Sequence, residues 1–97
     1  MEAPAASIRL RSWDLDNISW TPIYTSAFAW GVELENGGSD ILKLRTDPDS
    51  AASEHTLASG ATRKLEGRFP SQIAVVYAKT TSSVGPLKVT EFTNGAP

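Results

Sequence analysis

The stretch Phe28-Ala29-Trp30-Gly31-Val32-Glu33-Leu34-Glu35-Asn36-Gly37-Gly38-Ser39-Asp40-Ile41-Leu42-Lys43-Leu44-Arg45-Thr46 decides the fold class of this chain. Apolar residues fall at 28, 30, 32 and 34, with Glu33 between the last two and Glu35 after them, and Leu42 and Leu44 restart the alternation with Lys43 and Arg45 outward. A period of two is that of a half-buried strand, and Asn36-Gly37-Gly38-Ser39-Asp40 has turn composition, so the stretch predicts two strands joined as an antiparallel hairpin. Setting Leu34 opposite Leu42 places Val32 opposite Leu44 and Glu33 opposite Lys43. A slip by one residue puts Lys43 among Val32 and Leu34, at a cost of several kcal/mol for an unpaired buried charge. On this spacing Trp30 belongs to the core with Val32 and Leu34.

Composition limits what such strands can build. A chain of 97 residues is one domain, and one of this size buries only about two-thirds of its unfolded surface. Nine Lys/Arg against eleven Asp/Glu give a formal charge of -2 with no run of like charges, which predicts neither a nucleic-acid partner nor an anionic-membrane partner. The absence of Cys excludes a disulfide scaffold, a Cys-based zinc site and a thiol nucleophile. No apolar run approaches the roughly 20 residues that span a bilayer. The start Met-Glu-Ala-Pro-Ala-Ala-Ser lacks the basic and apolar regions of a secretory signal, so a soluble product is expected. Asn17-Ile18-Ser19 matches the N-glycosylation triplet, but reads as a polar lead-in to a strand. A small domain without staples often gains stability by oligomerisation.

The rest of the chain repeats the strand-and-turn theme. Residues 1–7 and 94–97 are small, Pro-containing or unpatterned and are expected to trail as an arm and a tail around a domain at 8–93. Ile8 and Leu10 share one face of a first strand, and Pro22 breaks the segment 18–24, which suits a sheet edge or a bend. Asp47-Pro48-Asp49-Ser50 is a turn, and 51–55 is too short and polar to stand as a helix and reads as loop. Residues 56–58 and 61–66 suggest a second hairpin with Gly60 at a positive φ. Residues 73–78 are apolar on both faces, as in a central strand or one lying against another subunit. In 87–92, Leu87 and Val89 point inward while Phe92 falls out of phase, which a bulge or an exposed aromatic explains. With no long helical period and no repeat of 20–50 residues, the expectation is all-β: a single small antiparallel β-sandwich or flattened barrel of about seven to eight short strands.

Residues that could carry chemistry are few. His55 is the single His, and it could join Ser53 or Ser59 and Asp47 or Asp49 only within one polar loop that offers no strained nucleophile turn. An exposed loop His is expected, and no catalytic residue. Asp47-x-Asp49 with Glu54 is half of a calcium loop that lacks the central Gly and the closing bidentate Glu, and Asp14-x-Asp16-Asn17 is equally incomplete; both read as turns. Glu33 and Glu35 share a face, but as a solvated charge ladder rather than a glycosidase pair. No metal and no cofactor is expected. Trp13 and Trp20 border polar or Pro-broken segments, where a Trp covers a core edge or anchors a partner.

The order of Gly31-Val32-Glu33-Leu34-Glu35-Asn36, Leu42-Lys43-Leu44-Arg45-Thr46, Thr56-Leu57-Ala58-Ser59-Gly60, Val75-Val76-Tyr77-Ala78 and Gly85-Pro86-Leu87-Lys88-Val89-Thr90 is similar to that in small β-sandwich virion proteins of tailed bacteriophages. The likeness covers about two-thirds of the chain and is carried by scaffold motifs of low individual specificity. It implies a non-enzymatic structural protein of the virion, of the decoration or cement type, homo-oligomeric with a trimer favoured, whose partner is the major capsid protein or another virion subunit. Its expected interface comprises the N-terminal arm and Trp13, Trp20, Tyr24, Val76 and Phe92. The alternative is a tail or fibre component with a host-glycan-binding surface, on which Trp13, Trp20 or Tyr24 stacks against sugar rings.

Overall fold

A computed structural model of the chain describes residues 6–94, with side chains from 8 to 93. Eight strands follow one another: β1 Ala6–Leu15, β2 Thr21–Ile23, β3 Ala29–Asn36, β4 Leu42–Arg45, β5 Glu54–Leu57, β6 Thr62–Phe69, β7 Val76–Thr80 and β8 Gly85–Asn94. One 3₁₀ turn, Ala51–Ser53, joins β4 to β5. The strands form two four-stranded antiparallel sheets, ordered β1-β8-β3-β6 (sheet A) and β2-β7-β4-β5 (sheet B). The pairs β1:β8, β2:β7, β3:β6 and β4:β5 describe one long antiparallel ribbon folded back at the 3₁₀ turn, and the added pairs β3:β8 and β4:β7 roll that ribbon on itself. This is a small β-sandwich with the jelly-roll strand order.

Alternation is met in both sheets. Leu15, Val32, Leu34, Leu87 and Val89 point inward from sheet A, and Ile23, Leu42, Leu44, Val76 and Ala78 point inward from sheet B, all buried. Burying these side chains against each other is the main driving force for the fold.

The predicted hairpin of 28–46 is corrected. β3 lies in sheet A and β4 in sheet B, so the chain crosses the sandwich at 37–41, and Val32 and Leu34 meet Leu42 and Leu44 across the interior instead of within one sheet. An inward-outward alternation is satisfied equally by a hairpin and by such an arch. Glu33 therefore stands beside Lys64 and Thr90, not Lys43. The predicted 56–66 hairpin is likewise an arch from sheet B to sheet A, although Gly60 has the expected positive φ, +75°.

Asn36, placed in a turn by composition, is the last residue of β3, is buried, and fastens both arches. Its side-chain amide donates to the carbonyls of Asp40 (2.6 Å) and Leu57 (2.9 Å) and accepts from Gly38 N–H (3.0 Å). Its backbone N–H donates to Ala61 O at 3.0 Å and its carbonyl accepts from Gly60 N–H at 2.9 Å.

Trp30 is also corrected. The register of β3 against β6 shifts between Ala29 and Gly31, opposite a β6 segment containing Gly67 at φ +148°. Ala29 takes the inward place and is fully buried, while Trp30 turns outward and is 39% exposed. Of the segment 73–78, only Val76 onward is strand; β7 lies inside sheet B between β2 and β4, and Ile73 is exposed. β2, with Pro22, is a sheet edge as expected. β1 starts at Ala6, inside the expected arm, and β8 runs to Asn94; residues 1–5 and 95–97 lie outside the described residues.

Candidate functional site

Two outer faces concentrate the side chains that can recognise something, and one buried polar cluster braces the sandwich between them. On the outer face of sheet A, Ile8 of β1 is the register partner of Phe92 of β8, which in turn faces Gly31 of β3. Trp30 leans on Phe92, with ring centroids 5.7 Å apart and planes at 40°, and Lys64 Nζ lies 5.4 Å from the Phe92 ring. Leu10, two residues along β1 from Ile8, is 79% exposed and Ile8 is 62% exposed. The four side chains make an apolar strip, and beside it Leu10, Ser12, Glu35, Lys88 and Thr90 line an open groove of about 470 Å³. Charges on this face are balanced by register, with Glu33 beside Lys64 and Glu35 beside Lys88.

The outer face of sheet B is different. Lys43 and Arg45 of β4, Tyr77 and Lys79 of β7 and Trp20, just ahead of β2, share it, all half-buried. The Trp20 ring centroid is 4.4 Å from Arg45 Cζ and 4.8 Å from Lys79 Nζ, so the indole reaches over β7 to hold both cations. Arg45 is fixed further by Glu54 Oε1, 2.8 Å from Nη2 and 3.0 Å from Nε, and by the Pro48 carbonyl at 2.8 Å.

Glu91 forms the buried cluster. It occupies the next inward position of β8 after Leu87 and Val89 and has no exposed surface. Its carboxylate accepts Ser26 Oγ–H at 2.6 Å and Ser26 N–H at 3.1 Å, with Arg11 Nη1 at 3.4 Å. Arg11 also donates to Tyr24 O at 3.0 Å and lies 5.0 Å from the Trp13 ring centroid. A buried carboxylate is tolerated because donors surround it, and here it fastens the 24–28 crossing to sheet A.

The five expected interface residues are thus dispersed. Trp13 is half-buried, packs against the core at the β1 edge, and keeps its buried Nε1 without a hydrogen-bond partner. Tyr24 is exposed beside Arg11, Trp20 lies on the outer face of sheet B, and Phe92 lies on that of sheet A. Val76 is a core residue, 4% exposed, so its side chain offers no surface. The sequence reading missed the outward placing of Ile8, Leu10 and Trp30, and it missed Glu91, although the inward phase of 87, 89 and 91 pointed to it.

His55 is exposed on β5, and Ser53, Ser59 and Asp47, considered with it, are engaged with backbone groups. Ser53 Oγ–H donates to the backbone at Ser50 O and Asp47 O, and Ser59 Oγ–H donates to Gly38 O. Asp47 accepts Asp49 N–H, closing the Asx turn its composition predicts. Asp16 accepts the N–H groups of Ser19 and Ile18, which hold its carboxyl below the usual range. The Ser83 hydroxyl does the same for Asp40, from 2.6 Å, with help from Ser82. Among the described residues no three His, Cys, Asp or Glu side chains are grouped to hold a metal ion, and no helix is long and apolar enough to cross a membrane. No protein-family model matches this chain, and no curated protein is significantly similar to it.

Proposed function

We propose that this chain is a non-enzymatic structural protein of a tailed-phage virion, a homo-oligomeric decoration or cement protein that attaches to the assembled shell through the outer face of sheet A. The observation that carries the attachment surface is the apolar strip of Ile8, Leu10, Trp30 and Phe92 on a sheet that is otherwise charge-balanced. Exposed apolar strips rimmed by polar residues mark interaction sites, and aromatic anchors supply much of the energy of such contacts. Jelly-roll sandwiches recur in viral shells, which is an analogy at the level of the fold. The phage assignment itself rests on the order of scaffold motifs.

The test combines light scattering across a concentration series with co-sedimentation on undecorated phage capsids. A stable trimer that sediments with shells, and an Ile8→Ser/Leu10→Ser variant that keeps its fold but stays in the supernatant, are the expected results. A monomer that ignores shells overturns the reading.

The glycan-binding alternative has less support. Trp20 already holds two cations against its ring, and Trp13 packs on the core, so Tyr24 is the one exposed member of the expected stacking platform.

A further inference from the structure

We propose that the outer face of sheet B is a separate docking surface, for a protein partner that presents clustered carboxylates. Lys43 and Lys79 are direct register partners on β4 and β7, the two inner strands of the sheet. Neither lies within ion-pair distance of a carboxylate among the described residues. Like charges set opposite each other across a sheet destabilise it, so the fold carries a repulsion that replacing one lysine by a neutral residue removes. The sequence does not force this: the chain has more acidic than basic residues, and on the other sheet Glu33 stands beside Lys64 and Glu35 beside Lys88.

The neighbouring cation is organised in advance. Arg45 is held by Glu54, by Pro48 O and by the Trp20 ring, and the same ring holds Lys79. Side chains restricted before binding lose less entropy on binding. Three cations stand against one carboxylate; Arg45, Trp20 and Tyr77 are of the types enriched at the centres of protein interfaces, and Lys43 and Lys79 add the charge that an acidic partner complements. A nucleic acid fits less well. Its backbone calls for cations along a track and its bases for a free aromatic face, whereas here the cations are clustered, the indole is occupied, and the chain as a whole is negative. The site is distinct from the apolar strip of sheet A, so its failure leaves the shell-attachment reading standing, and the reverse holds too.

The test is a titration of the whole chain with an end-blocked hexaglutamate peptide, followed by calorimetry and by Trp fluorescence, beside a heparin hexasaccharide and a short single-stranded DNA of similar charge. Saturable binding of hexaglutamate is expected, weakening as salt is raised, and falling about tenfold or more in Lys43→Gln/Lys79→Gln, with Leu10→Ser unchanged. Lys43→Gln alone is expected to melt at or above the parent temperature, since it removes repulsion, breaks no ion pair and keeps most of the side chain's apolar stem. Absence of saturation at millimolar peptide, equal binding by the double variant, tighter binding of heparin or DNA than of hexaglutamate, or a lowered melting temperature for Lys43→Gln each overturns the proposal.

Discussion

Asn36 shows how much one polar side chain can decide. It stands where composition suggests an ordinary turn, yet it is buried and its amide serves Asp40 O, Leu57 O and Gly38 N. Asn36→Ala strands two carbonyls and one N–H, and unpaired buried groups cost roughly 1–3 kcal/mol each. A loss of about 3 kcal/mol in urea denaturation is therefore expected, and a loss below about 1 kcal/mol would mean the arches hold without it. Glu91 poses the complementary question of which donor matters. Two short bonds come from Ser26, while the Arg11 contact is long at 3.4 Å and its side chain is 37% exposed. Glu91→Ala is expected to cost about 3 kcal/mol, because Arg11 and Ser26 N–H lose their acceptor, and Arg11→Met less than half of that. Equal costs would show that the ion pair, and not the Ser26 clamp, holds the cluster.

At the scale of elements, strands were legible and their neighbours were not. The alternation of 32–35 and 42–45 names β3 and β4 correctly because inward Leu and outward Lys or Glu are the same signal wherever a half-buried strand lies. Partnership is another matter, since Leu34 is equally content beside Leu42 in one sheet or across the interior from it. The distinguishing information sits in Asn36, whose buried amide ties 36 to 57 and 61, and no local pattern announces that. The outer faces were partly readable for the same reason. Phe92 out of phase did mean an aromatic on the outer face, where it is half-buried beside Trp30, and the shift at Ala29/Gly31 that turns Trp30 outward lies opposite Gly67, far along the sequence. A double-mutant cycle separates arch from hairpin. Glu33–Lys64 is expected to couple by about 0.2–1 kcal/mol, and Glu33–Lys43 by nothing outside error; the opposite pattern would restore the hairpin.

For the whole molecule, Asp16 and Asp40 contribute to the acid side of its stability range. Hydrogen bonds from Ser19 and Ile18 to the first, and from Ser83 and Ser82 to the second, lower both carboxyls below their ordinary value. A group depressed in the folded state contributes stability that is complete above its unfolded value, near pH 4, and is lost as pH falls through the folded value. Urea midpoints are therefore expected to be flat from pH 7 to about pH 5 and to drop below about pH 4, with a shallower drop in Asp40→Asn. An unchanged slope in that variant would remove Asp40 from the account.

The rolled ribbon also sets an order of events for a chain made from its first residue to its last. β1 has a single partner, β8, and β8 separates β1 from β3 at the centre of sheet A. Seven strands thus emerge from the ribosome before the one that unites sheet A, and only β4 and β5 can find each other as sequence neighbours. Until residues 85–94 are synthesised, β1 must wait unpaired, with Trp13 and Leu15, which the finished domain packs into its core, still in water. A nascent chain halted at residue 84 is expected to stay protease-sensitive, and its completion to convert the whole domain to resistance in one step.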